Sequence, residues 1–312
     1  MLSVTDRILG GLWGLLIGDA LGVPYEFNKP EDLPKMEEIE YQPPLNFIRS
    51  HPGVLPGTWS DDGAQALCLL DSLLSCGKMD LNDFASRLLK WYDSELWAVD
   101  GKVFDVGNQT EKTLIAFGNG MSPYQSGNII PEGKGNGALM RVLPLVLWNK
   151  GSDEELVNDA HTQSLVTHGH ICNQVCCALY CLWGRRLLEG YSINKAYDLA
   201  VLKLRQIYRE NLEYYNELEE SICPDEPSVG TGSGFVVDSL RSTRMVLASE
   251  SYEKVVKSAI ALGYDTDTTA AIAGGLAGIY FGFENIPKRW YQELRGKEMV
   301  YPLIDKLLDH IG

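Results

Sequence analysis

The chain has 312 residues, 27 basic and 42 acidic, leaving a formal charge of −15. Its 45 % hydrophobic residues exclude a disordered chain, and the acidic balance excludes direct nucleic-acid binding, which needs clustered Lys and Arg. The longest weakly polar stretch, 269–283, is shorter than the ~18–20 residues of a membrane span, so no membrane association is expected.

In chain order, the apolar periodicity is helical almost throughout. Ile8–Gly18 has only Arg7 ahead of it, is flanked by acids and lacks a small-x-small cleavage site, so it reads as a buried helix and not a leader. Gly10, Gly14, Gly18 and Gly22 line one face of it. Each interior Gly costs a helix about 1 kcal/mol against Ala, and close helix–helix approach is the natural compensation. After a loop at Pro30–Pro56, helices are predicted at Ala64–Ser75, Glu154–Ser164, Ile171–Leu188, Ile193–Tyr215, Val236–Ala248, Tyr252–Ala261, Thr268–Phe283 and Pro302–His310. Further loops fall at Gly118–Gly137 and about Ser221–Gly234. Gly274, Gly278 and Gly282 repeat the glycine stripe. Strand patterns are scarce, so the expected fold is all-α, a single multi-helix domain spanning 1–312. Seven cysteines form no CxxC pair, and Cys172, Cys176, Cys177 and Cys181 recur at helical spacing as small buried hydrophobes. A reducing cytoplasm fits them.

Three acidic clusters stand at the ends of these helices: Gly18-Asp19-Ala20 with Pro24-Tyr25-Glu26, then Ser60-Asp61-Asp62-Gly63, then Asp265-Thr266-Asp267-Thr268. One Ser, Thr or Asp suffices to cap a helix, and acids in the first turn suit its dipole. Each of the last two sites offers at least three oxygen-bearing side chains, with carboxylates close enough to need a proton or a cation. Hard oxygen donors without Cys or His point to Mg²⁺ or Mn²⁺, with Ca²⁺ also open, and away from zinc. The number of acids allows two ions. No EF-hand loop is present.

The segment Gly133-Lys134-Gly135-Asn136-Gly137 is a flexible loop expected to run into an apolar helix, aiming backbone N–H groups at an anion. It is no Walker A loop, since Gly135 stands where Ser or Thr would bind Mg²⁺. Gly230-Thr231-Gly232-Ser233-Gly234-Phe235 misses the dinucleotide fingerprint. Its Phe235 is open to two readings, stacking on a base or ribose, or a place in the core. His168 is expected to contact a phosphate or ribose, and His170 to start a helix or lie at the surface.

These pieces, in this order, resemble the ADP-ribosylglycohydrolase family, which includes the dinitrogenase reductase-activating glycohydrolases. The similar segments are GLLIGDALGVPYEF, GTWSDDGAQALCLL, FDVGNQT, GNGALMRVLPL, SLVTHGH, GSGFVVDSLRS and GYDTDTTAAIAGGLAGIYFG, from Gly10 to Gly282. The resemblance implies an all-α fold with two Mg²⁺ or Mn²⁺ ions at the base of a cleft for ADP-ribose. It implies metal binding by Ser60, where Thr is usual, with Asp61 and Asp62, and by Asp265, Asp267 and Thr268. It makes Glu26 metal-linked or catalytic and Asp105 catalytic, and places Asn136 and Gly137 at the phosphates and His168 at the distal ribose; Gly135, from the glycine loop, and Phe235 are added as candidate substrate contacts. Gly63 departs from the pattern, because many members carry Thr or Ser there.

The implied activity is metal-dependent hydrolysis of the bond between ADP-ribose and a modified side chain, with arginine favoured by FDVGNQT. Serine O-linked ADP-ribose and a small ADP-ribosylated metabolite are alternatives, as are a non-catalytic ADP-ribose reader and a two-metal phosphohydrolase. The expected partner is an ADP-ribosylated protein or an ADP-ribose-containing small molecule, met by a cytoplasmic monomer.

Overall fold

A computed structural model describes residues 2–130 and 132–312. Its helices, in chain order, are α1 (Val4–Gly22), α2 (Asp61–Cys76), α3 (Leu81–Ser94), α4 (Asn108–Gly118), α5 (Pro123–Ser126), α6 (Leu143–Trp148), α7 (Asp153–Ser164), α8 (Ile171–Leu188), α9 (Ile193–Tyr208), α10 (Leu212–Asn216), α11 (Val236–Val246), α12 (Tyr252–Ile260), α13 (Thr266–Phe281), α14 (Lys288–Glu293) and α15 (Lys297–Ile311). Among the described residues there is no strand, only a lone antiparallel bridge between Gly135 and Phe235. The all-α expectation holds.

The glycine stripes explain the centre of the fold. A Cβ at Gly10, Gly14, Gly18 or Gly22 would strike the backbone of Gly278, Gly274, Ala270 and Asp267 in turn. That descending order makes α1 and α13 antiparallel, with their main chains in contact. The pairing is locked by Tyr252, whose hydroxyl donates to the Gly14 carbonyl at 2.8 Å, and by Arg7, which donates to the Ile279 carbonyl at 3.0 Å. By length and composition α1 could cross a membrane, but it is almost wholly buried inside the fold. One continuous hydrophobic core surrounds the pair. Cys172, Cys176, Cys177 and Cys181 are buried in α8, and all seven thiols are free.

Several boundaries depart from the periodicity. The predicted helix Ile193–Tyr215 breaks after Tyr208, because Arg209, Glu210 and Asn211 are exposed and offer the core nothing. The last helix begins at Lys297, five residues before Pro302. Proline removes the N–H that would bond the Glu298 carbonyl, and Glu298 is exposed, so water can take its place. The glycine loop does not run straight into a helix: turns fill Asn136–Val142, and α6 starts at Leu143.

Candidate active site

Three helix ends meet at one point. The antiparallel zip sets the end of α1 beside the start of α13, and Asp19 fastens the start of α2 to both. Asp19 accepts from the Ser60 N–H at 2.9 Å and from the Gly63 N–H at 2.8 Å. Ser60 caps α2, its Oγ accepting from the Asp62 N–H at 3.3 Å. The positive ends of the α2 and α13 dipoles thus point into the acids. Asp267 accepts from the Thr268 N–H at 2.8 Å, and the Thr268 hydroxyl donates to Asp62 Oδ1 at 3.4 Å. Asp61 accepts from the Gln65 amide at 2.9 Å. The oxygen of that amide faces Arg141 at 2.8 Å, so a buried guanidinium orients the group that holds Asp61.

Above this floor opens a cavity of about 610 Å³, whose lining includes Glu26, Phe27, Asp61, Asp105, Gly135, Asn136, Gly137, His168, Tyr264, Asp265 and Thr268. That volume lies in the range of small-molecule sites. Its lining holds four carboxylates and, among the described residues, no Lys or Arg. On one side are the acids, and Asn136 joins them to the glycine loop by donating to Asp265 Oδ2 at 2.8 Å. On the other side is His168, packed so closely against Gly137 that a Cβ there would lie 2.6 Å from its ring. Its Nδ1 lies 2.8 Å from the Thr167 hydroxyl. Burial, aided by the Arg141 charge, lowers His168 to about 3, so it meets a ligand as a neutral ring.

Crowding sets the charge state of the acids. Burial, then the charges of Asp105, Asp265 and Asp61, pushes Glu26 up to about 11. Burial followed by the Asp265 charge raises Asp105 to about 6. Burial, and then neighbouring carboxylates, drive Asp61, Asp62 and Asp267 well above the usual carboxylate range, the leading charges being Asp105 on Asp61, Asp19 on Asp62 and Glu26 on Asp267. Asp19 stops at about 7, because the Ser60 and Gly63 amides offset part of its desolvation.

A divalent cation is the natural counterweight, and two observations fit one. Asp62 Oδ2 and Asp267 Oδ2 are buried without any hydrogen-bond partner, an expensive state for a carboxylate oxygen. One oxygen each from Asp19, Asp62 and Asp267, and likewise from Glu26, Asp265 and Asp267, lie within 4.8 Å of one another. The structure therefore gathers Glu26, Asp61, Asp62, Asp105, Asp265, Asp267 and Thr268 at one centre, with Ser60 as the cap that supports them. Gly135, Asn136, Gly137 and His168 form the facing wall. Phe235 is not in the core: it is 44 % exposed and forms a backbone bridge with Gly135 of the facing wall. His170 caps α8 by accepting from the Cys172 N–H.

The sequence reading missed His51. Its Nε2 lies 2.7 Å from Glu26 Oε2 and 3.9 Å from Asp105 Oδ1. No motif surrounds it in the Pro30–Pro56 loop, and only the fold brings it to the acids. It also left Asp19 without a role, although that residue stands in the first acidic cluster.

The family model for ADP-ribosylglycohydrolase matches residues 2–312. An ADP-ribosylarginine hydrolase of Serratia proteamaculans is 31 % identical over 306 residues, covering 97 % of this chain and 79 % of its own. The ADP-ribosyl-[dinitrogen reductase] glycohydrolase of Rhodospirillum rubrum is 27 % identical, with 94 % and 91 % covered. A chain from a solved ADP-ribosylglycohydrolase-related protein complex superposes with a TM-score of 0.79 at 28 % identity, over 99 % of both chains. The glycine-zipped helices, the convergent acids and these likenesses lead to one conclusion: the chain belongs to the ADP-ribosylglycohydrolase family.

Proposed function

We propose that the protein hydrolyses the glycosidic bond between ADP-ribose and a modified protein side chain, with arginine as the acceptor, and releases ADP-ribose. The observation that carries this reading is the pairing, in one cavity, of uncompensated carboxylates with a glycine-loop wall and, among the described residues, no lining Lys or Arg. Carboxylates favour the positive charge that builds at ribose C1″ as the bond breaks, and they favour a guanidinium leaving group over a neutral serine hydroxyl. The two named relatives act on ADP-ribosylarginine and on ADP-ribosylated dinitrogen reductase, which supports the same choice.

In this reading Asp61, Asp62, Asp265, Asp267, Thr268 and Glu26 hold two Mg²⁺ or Mn²⁺ ions, with Ser60 beside them. When bound, the ions neutralise the cluster and supply Lewis-acid polarisation of the ribose hydroxyls and of water. Gly135, Asn136 and Gly137 receive the phosphates and His168 the distal ribose. Water oxygen bonds to C1″ while the C1″–N bond breaks and its electron pair leaves on nitrogen. Glu26 and Asp105 are the carboxyls that take a proton from the water and return one to the leaving nitrogen. His51 fixes the Glu26 carboxyl through its contact with Oε2. Residues 1–312 work as one domain and as a monomer, and the seven free thiols fit a reducing cytoplasm.

The test is ADP-ribose release from arginine- and serine-ADP-ribosylated peptides with Mg²⁺, Mn²⁺ or EDTA. Metal-dependent release from the arginine peptide is the expected result. Release from the serine peptide alone would move the acceptor, and no release from either, with ADP-ribose still bound, would make the protein a reader.

A further inference from the structure

Phe27 and Tyr264 both line the cavity, yet they are 69 % and 45 % exposed. Both also sit in left-handed backbone conformations, with φ of 63° and 57°, which cost a residue with a Cβ. A crosswise clasp holds them there: the Phe27 N–H donates to the Tyr264 carbonyl at 2.6 Å, and the Tyr264 N–H to the Asn28 carbonyl at 2.7 Å. Asn28 closes the turn by donating to the carbonyls of Tyr25 and Glu26. Exposed aromatics in strained conformations gain the fold little, so a ligand contact is the economical explanation for both.

Their position selects the ligand. The Phe27 ring centre lies 5.7 Å from that of His51, and His51 is bonded to Glu26. Tyr264 directly precedes Asp265. The Phe27 ring therefore stands on the acid side of the cavity, where the leaving group would lie, and the clasp sets Tyr264 beside it in the lining. An aromatic face above carboxylates is suited to a planar delocalised cation, which stacks on the ring while its N–H groups meet the acids. An O-linked serine offers neither plane nor charge.

We propose that Phe27 and Tyr264 form a fixed aromatic lip that seats the guanidinium of ADP-ribosylated arginine and thereby sets the choice of acceptor. This rests on the hydrolase reading above. The test compares Phe27→Leu, Tyr264→Gly and Tyr264→Phe with the wild type, measuring kinetics on an ADP-ribosylarginine peptide and the Kd of free ADP-ribose. Phe27→Leu and Tyr264→Gly should each raise KM about tenfold, more than they lower kcat, while the Kd of ADP-ribose moves less than twofold. Tyr264→Phe, which keeps a ring, should recover most of the loss. Because the rings are exposed and strained, neither large change should lower the melting temperature, which separates the lip from a folding role. An unchanged KM, or a Kd of ADP-ribose that weakens in step with KM, overturns the lip, the second outcome assigning the rings to the nucleotide. A wild type that leaves the arginine peptide intact overturns the arginine acceptor on which the lip rests, and the lip with it.

Discussion

On the cavity floor, Asp62 and Asp267 are held at the starts of helices buried in the core. At its mouth, Phe27, His51, Asp105 and Tyr264 are held by loops, and all four have left-handed backbones, half of the eight non-glycine residues with that conformation. The floor gains position from close packing, which leaves no freedom to adjust. The mouth gains it from local strain, clasped by hydrogen bonds at Phe27 and Tyr264, whose rings stay exposed, while the His51 and Asp105 side chains are mostly covered. Acids that must crowd together despite repulsion sit where the backbone cannot yield, and groups that must meet a varying acceptor sit where side chains can be exchanged.

The largest test of that contrast is Asp267→Asn. Turnover should fall on the order of 10³-fold, and Mg²⁺ should lose its ability to raise the melting temperature. In EDTA the variant should melt above the wild type, because a buried charge without a partner has gone. A variant as active as the wild type, with the same Mg²⁺ response, would remove Asp267 from the centre.

A buried group outside both regions gives the next effect. His161 on α7 packs in a three-ring cluster with Tyr208 and Tyr214, and burial lowers it from 6.5 to about 4. Between those values the unfolded chain binds a proton that the folded chain refuses. Stability should therefore fall as pH drops from 6.5 toward 4, by about 3 kcal/mol at the lower end. His161→Phe should remove that part of the slope, read as the difference between two urea-unfolding series across this range.

Gly18→Ala and Asp105→Gly should move stability in opposite directions. The first drives a Cβ into the Ala270 carbonyl and should cost about 2 kcal/mol. The second relieves a left-handed residue with φ of 58° and should stabilise by about 1 kcal/mol, while catalysis is lost. Equal signs in denaturant melts would erase the distinction between floor and mouth.

Smallest is Gln65→Leu, which leaves Asp61 Oδ2 without its amide donor. Mn²⁺ affinity by calorimetry should weaken about tenfold, with ADP-ribose binding held. Unchanged Mn²⁺ affinity would reduce the Arg141–Gln65 relay to packing.

The floor was legible in the sequence because its acids are close together in the chain: Asp61 next to Asp62, and Asp265 one residue from Asp267, announce themselves beside a helix and a glycine stripe. The helix pairing was legible for the same reason, since a glycine every fourth residue has few uses. Helix α3 carried a readable signal that went unassigned, with Leu81, Phe84, Ala85, Leu88 and Trp91 on one buried face. His51, Phe27 and Tyr264 were not legible, because a left-handed loop conformation leaves no trace when the residue is not Gly or Asn. Phe235 was open to two readings, and its exposure at the start of α11 excludes the place in the core.

The α1–α13 pairing has a consequence for the making of the protein. Gly18 and Ala270 touch across about 250 residues of chain, which at typical synthesis rates of ~5–20 residues per second is roughly 10–50 s of translation. Throughout that interval α1, apolar from Ile8 to Gly18, has been made and its partner has not. The centre can therefore assemble only after α13 has been made. A chain interrupted before Thr266 has no half-active form.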